Sequence, residues 1–287
     1  MSKRARRTPV VSGPRQIERR YSAALVRMVR DLEREIRDQL IDALPRLAQM
    51  RDATGPRQDS WDLEIERLIA ALTVFGTRRA ERIIGDLSEF AEGVNRFNKR
   101  SFARAMANVI GVDFLRGADG QWLQIEMRSW AAENAALIKS IPERMLTDVE
   151  GIAQRALRTG ADPRETAREI RQRFGVTESR ARLIGRDQVS KLNGQITQGR
   201  NQALGLDLYV WSSSVDERVR ESHDAMEGKI CKWDDDSVYA DTIEDAQAGR
   251  WKSRSSIGGV EQHPGQDFQC RCVSRAIIPA EFLEEVA

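Results

Sequence analysis

The sequence predicts an α+β protein in which a long helical N-terminal region leads into a small mixed α/β C-terminal domain. Three observations carry this. Apolar residues recur at helical spacing from Ile17 to Ile196, and strand-like alternation is almost absent there. β-Branched and aromatic residues alternate only after Gly205. Every histidine and cysteine of the 287-residue chain, namely His223, Cys231, His263, Cys270 and Cys272, falls in that last part.

A chain of this length holds two domains, or one domain with a long extension. With 40% hydrophobic and 31% charged residues it can bury a core, while a mean hydropathy of -0.53 leaves a large solvated or partner-facing surface. No run reaches the roughly 18 apolar residues of a membrane span, and the N-terminus MSKRARRTPVVSGPRQ lacks the apolar centre of a signal peptide. A reducing compartment is therefore expected, with the three cysteines as thiols or metal ligands. The net charge of +2 hides an asymmetry: from Lys3 to Arg30 nine basic residues face a single acid, Glu18, whereas Asp207 to Asp245 is mostly acidic. Lys3, Arg4, Arg6 and Arg7 are the candidate nucleic-acid contacts.

Residues 1–12 read as a disordered basic tail, and 13–110 as a long-helix extension. Pro14 suits a first helical turn, Ile17 to Leu44 supply an apolar stripe, and Pro45 kinks or ends the helix. Residues 51–59 form a linker around Gly55 and Pro56; a second long helix starts near Asp59 or Ser60. A break is expected within Glu92–Asn98, then a shorter helix over Ser101–Ile110 and a loop after Gly111. The helical region 120–204 divides into helices over Gln121–Lys139, from Pro142 to Gly160, from Asp162 and Pro163 to Phe174, and from a Thr177 cap to Leu204. In the last domain, 205–287, LDLYVWSSS reads as a strand with Tyr209 and Trp211 on one face. Asp216 caps a short helix through Met226, GKICKW is a second strand, residues 234–251 are mostly loop with one helical turn, and CRCVSRAII is a late strand stopped by Pro279 before a terminal EFLEE turn.

On the helix expected over 216–226, Asp216, Arg220 and His223 share one face: either a polar constellation, or a cap, an exposed ion pair and a satisfied histidine. On the late strand Cys270 and Cys272 alternate and point the same way. With Cys231 and one of His223 and His263 they could complete a structural Cys3His zinc site, but the spacing is a weak signal and small buried thiols more often form a metal-free core. The cofactor expectation is therefore none, or one structural zinc. No HExxH, EF-hand, P-loop or GxGxxG pattern is present, so an enzyme is not expected. The alternative is a metal-dependent hydrolase or nuclease centred on the His/Cys cluster.

WSSSVDERVRESHDAMEGKI followed by HPGQDFQCRC resembles the bacteriophage Mu F-like head morphogenesis family, the minor head or minor capsid proteins. The resemblance rests on Trp211, Asp216, Arg218, Arg220, His223, Gly228, Pro264, Cys270, Arg271 and Cys272, with ESRARLIGRDQVSKLNGQ similar to the segment upstream. It covers about residues 120–278 and is strongest from 177. Where some relatives place a histidine two or three residues before C-R-C, this chain has Asp267 and Phe268, so His263 would have to supply that ligand. The resemblance implies a low-copy structural protein of the virion, assembled in the host cytoplasm and lodged in the capsid interior or at the portal vertex. Its implied partners are the portal protein, the major capsid or scaffold protein and packaged DNA, without a membrane.

Overall fold

The computed structural model describes residues 5–11, 13–54, 59–110, 118–214, 217 and 219–280. Lys3, Arg4, Asp216, Arg218, most of the expected loop after Gly111 and the EFLEE turn lie outside the described residues. The chain is α+β, as expected: long helices dominate, and a small antiparallel sheet occupies the C-terminal part. Its contacts form two units that interleave along the chain. One unit comprises Met1–Glu18, Glu89–Trp130 and Asp187–Ala287; the other comprises Arg19–Ser88 and Ala131–Arg186.

The second unit is helical. Helix α1 (Arg15–Ile36) runs into a π turn over Arg37–Ile41, α2 spans Leu44–Thr54 and α3 spans Asp59–Gly85. Helix α5 (Gln121–Thr159) and helix α6 (Pro163–Ala203) each contribute to both units. The α1 stripe is buried as its spacing requires, with Tyr21, Leu25, Leu32 and Ile36 at 0–1% exposure. Tyr21 donates to Asn134 Oδ1 at 2.8 Å, satisfying a hydroxyl that burial keeps protonated. Glu178 receives Arg30 at 2.8 Å and Arg182 at 2.7 Å, and these partners, Arg30 first, hold its carboxyl below the usual range.

Several expected breaks are absent, each because packing outweighs local preference. The chain leaves α1 at the π turn, and Pro45 sits in the first turn of α2, where its missing N–H costs no bond. Pro142 lies inside α5 instead of starting a helix, and Gly76 leaves room for it: a Cβ on Gly76 would come within 2.9 Å of Pro142 Cβ. Helix α6 passes through Phe174–Thr177 unbroken, and Thr177 donates back to Arg173 O at 3.0 Å rather than capping a new helix. Asp162, as expected, caps α6 by accepting from Arg164 N at 2.7 Å.

The first unit holds helix α4 (Leu87–Ile110), continuous through the expected break at Glu92–Asn98. The asparagines there are used in tertiary bonds. Arg200, fully buried on α6, donates to Asn95 Oδ1 at 2.6 Å, to Asn98 Oδ1, and to Asp119 Oδ1 at 2.8 Å; Asn98 in turn donates to Thr197 Oγ1 at 2.7 Å. Lys99 also reaches Asp119, at 2.7 Å.

The sheet runs β1-β6-β2-β3-β4-β5, with all neighbours antiparallel. Its strands are β1 (Arg6–Arg7), β2 (Leu208–Ser212), β3 (Ile230–Lys232), β4 (Asp235–Ala240), β5 (Lys252–Ser253) and β6 (Val273–Ile278). Strand β2 is central, and its alternation is as the sequence suggests. Tyr209 and Trp211 pack with Met226, Cys231, Trp233 and Tyr239 on one face, while Val210 joins Ile230, Ala240 and Ile277 on the other. Helix α8 (Ile243–Gln247) covers this second face through Ala246, and Phe102 and Met106 of α4 pack with Leu206, Ala276 and Ile278.

Two local expectations are corrected here. The tail is ordered at Arg6–Arg7, which pair with Ile278 and Ile277, and Thr8 N donates to Ala276 O at 3.0 Å; they satisfy the open edge of β6. Residues 234–251 are not mostly loop, since Asp235–Ala240 is a paired strand whose neighbouring acids are offset by Lys229, Lys232 and Lys252.

Three substitutions have expected outcomes. Gly185→Ala places a Cβ 2.7 Å from Ser22 Cα, a backbone contact that cannot yield, whereas Gly151 faces open space. Gly185→Ala should therefore lower stability by ~1–3 kcal/mol of overpacking, less the helix-propensity gain. Gly151→Ala should raise it by up to ~1 kcal/mol, both read by denaturant unfolding. For Asp119, burial alone would raise the carboxyl, but Lys99 and Arg200 together hold it below its ordinary 3.8. Its contribution is present above that value and is lost as pH falls through the lower folded one. Asp119→Asn should cost about 2–3 kcal/mol at neutral pH, less than a wholly buried pair because Asp119 is 29% exposed, and should flatten the acid limb of the stability profile below pH 4.

Candidate functional site

The β2–β3 connection and the segment leading into β6 meet at one end of the sheet. Trp211 N donates to Lys229 O at 2.9 Å and Gly228 N to Trp211 O at 3.0 Å, closing residues 212–227 into a long loop; Gly228 takes a positive φ of 73° at its base. The loop carries the short helix α7 (Glu221–Asp224) and with it His223. On the other side of β2, Trp211 pairs with Ser274 and Ser212 with Val273, so Cys272 arrives beside the same strand end. Residues some fifty positions apart are thus brought together by two strand pairings.

Helix α7 is shorter than the helix expected over 216–226. Arg220 is extended (φ -70°, ψ 145°), so the helix that carries His223 begins only at Glu221. Arg220 instead reaches the Asp267 carboxylate and the Phe268 carbonyl. The expectation that Cys270 and Cys272 alternate along a strand is also corrected. Strand β6 begins at Val273, because Gln269 adopts a positive φ of 55° and Cys270 N bonds back to Asp267 O at 3.1 Å. The loop is seated on α6: Gln269 N donates to Asp187 Oδ1 at 2.5 Å, and a Cβ on Gly194 would lie 3.0 Å from Pro264 O.

Both thiols nevertheless converge on one imidazole. His223 Nδ1 lies 3.4 Å from Cys272 Sγ and 3.6 Å from Cys270 Sγ, and the three donor atoms all fall within 4.8 Å of one another. All three side chains are 4–7% exposed. On the far side of the ring, Nε2 is 2.9 Å from Asp267 Oδ2; a carboxylate only accepts, so Nε2 carries a proton, and Nδ1 faces the sulfurs. Asp267 is itself fixed by Phe268 N at 2.6 Å and by Arg220. Gly265 N donates to Cys270 Sγ at 3.3 Å, and Trp211 packs edge-on to His223 at 5.8 Å between centroids.

The electrostatics follow from these contacts. Cys270 is the more acidic thiol, favoured by hydrogen bonds from Cys272, His223 and the Gly265 amide. Cys272 is pushed up by its bond to Cys270 and by burial. The His223 imidazolium is favoured by Cys270 first and then Asp267, against the opposing effect of burial. Burial alone would raise Asp267, but His223, the Phe268 amide and Arg220 pull it below the carboxylate range. Two sulfurs and an imidazole nitrogen form a donor set that could hold a metal, and Cys270, His223 and Asp267 also form the chain that activates a thiol nucleophile.

Cys231 and His263 lie apart from this cluster. Cys231 is fully buried on β3, and burial pushes its thiol up to about 11. His263 Nδ1 sits 2.9 Å from Tyr209 OH, its ring packs against Trp233, and burial and Arg254 lower its pKa. Arg271 is exposed, as are Arg6 and Arg7. Sequence reasoning passed over Arg254, which is fully buried and donates to the Val238, Val260 and Gln262 carbonyls and to Tyr209 OH. Its segment WKSRSSIGG carries no signal for this, because the partners are backbone carbonyls. Asp267 was read only as a departure from a histidine, and its role emerges from its contact with His223.

Comparison with known proteins adds the family. The model of the family described as Phage Mu protein F like protein matches residues 147–275, which include α7, the three-residue cluster and Asp267. An uncharacterized protein of Haemophilus influenzae is 33% identical over 184 residues, 63% of this chain and 36% of that protein, so the chain spans about a third of that relative's length. No solved structure matches. No helix among the described residues is long and apolar enough to cross a membrane. Residues 147–275 thus form a region similar to the Phage Mu protein F like family.

Proposed function

We propose that the chain is a phage minor head protein acting in capsid assembly, held at the portal or the inner face of the shell in low copy. The observation that carries this reading is the family match over residues 147–275. Two features of the molecule support it. The helical unit carries exposed arginines such as Arg30, Arg46 and Arg155, at 55–59% side-chain exposure, whose pairing with Glu178, Glu64 and Glu169 makes a solvated charged surface on which partners can exchange ion pairs. Arg6 and Arg7 stand exposed on the edge strand of the sheet, beside Lys3 and Arg4 in sequence, and provide a place for packaged DNA to meet the protein.

Mass spectrometry of purified heads and procapsids should find this protein at a few copies per particle, in complexes recovered with the portal protein. Heads that are complete and lack it would overturn the proposal. For DNA, replacing Lys3, Arg4, Arg6 and Arg7 together by Gln keeps the backbone pairing of β1 but removes four charges. The slope of log affinity against log salt should then shrink by roughly three to four for duplex DNA. An unchanged slope removes DNA contact by this segment from the reading.

A further inference from the structure

We propose that His223 Nδ1, Cys270 Sγ and Cys272 Sγ bind one zinc ion, with Asp267 as the outer carboxylate that orients the imidazole. The inference stands on the geometry of the cluster and does not depend on the role in head assembly.

Three observations converge. The first is convergence: two buried sulfurs and one buried imidazole meet, with the sulfurs 3.4 and 3.6 Å from Nδ1. A cation shared by all three donors takes the place of the thiol protons, which leave to solvent. The second is the spacing. Zinc bonds of about 2.3 Å to sulfur and about 2.0–2.1 Å to nitrogen at tetrahedral angles separate the ligand atoms by ~3.5 Å, which is the separation observed between nitrogen and sulfur. The third is the surroundings. The Asp267–His223 contact is the carboxylate–imidazole arrangement that sets ring orientation in metal sites, and Asp267 is in turn pinned by Arg220 and the Phe268 amide. The Gly265 amide points at Cys270 Sγ, and the Trp211 ring packs edge-on against His223.

The chemistry selects the ion. Two sulfurs and one imidazole favour a soft or borderline metal over magnesium or calcium. No fourth side chain joins the three among the described residues, so one position remains for water or a ligand from a partner. Cys231 and His263 are excluded from the set, since His263 is committed to Tyr209 and Cys231 lies outside the cluster. An ion here would tie α7 to the 263–272 loop, a part of the unit built mostly of turns.

The test uses the full-length chain stripped with a chelator and titrated with cobalt(II), then zinc. One cobalt per chain is expected, with thiolate-to-cobalt charge-transfer absorption that zinc abolishes. The band should survive Cys231→Ser and disappear in Cys270→Ser and in Cys272→Ser, with circular dichroism reporting that each variant keeps its helices. Asp267→Asn should weaken cobalt binding roughly 10- to 100-fold without abolishing it. Alkylation by iodoacetamide, mapped by mass spectrometry on the wild-type chain, needs no variant: zinc should protect Cys270 and Cys272 together. A helical wild-type chain showing no cobalt–thiolate band overturns the proposal, as does a band retained when both cysteines are serine. Alkylation of Cys270 alone at a rate indifferent to zinc overturns it in favour of a nucleophilic thiol.

Discussion

The pairing of β2 with both β3 and β6 is the constraint from which the rest of the sheet unit follows. Trp211 lies opposite Ser274 on one side and exchanges backbone bonds with Gly228 and Lys229 on the other. Because its register is fixed by side chains that are buried on both faces, a slip by one residue would exchange Tyr209 and Trp211 with Val210 and invert both cores. The same register sets the position of the two loops that leave this end of the sheet, and so brings His223 within reach of Cys270 and Cys272. Buried aromatic packing holds the strands, and the strands place the polar groups.

Much of this was legible in the sequence, for physical reasons that differ from element to element. Amphipathic spacing in α1, the Asp162–Pro163 start of α6 and the alternation of β2 are local signals, and they translate directly into structure. The cluster was legible in kind, since a histidine and two cysteines at the far ends of two motifs do meet. The detailed membership was not. His263 and Cys231 share the composition of a ligand set, but their environments are decided by Tyr209, Trp233 and Arg254, whose positions no local pattern reveals. The reason Cys270 and Cys272 face the same way also differs: a left-handed residue and a turn, rather than strand alternation, aim both sulfurs.

Three breaks expected in the long helices are absent, while α7 is shorter than expected. Each expected break at Glu92–Asn98, Pro142 or Thr177 became part of a longer helix, because breakers act on isolated segments while these residues have tertiary partners. Asn98 is occupied by Arg200, Asn193 and Thr197, and Pro142 fits where Gly76 has no side chain. A buried arginine that gathers asparagines from one helix and an aspartate from beyond it supplies a reason for continuity that a propensity scale does not contain.

The sheet joins Arg6–Arg7 to Ile277–Ile278, across almost the whole length of the polypeptide. A pairing between segments this far apart carries the loop-closure cost of a long intervening chain, so this edge gains from folding only after the nearer strands have met.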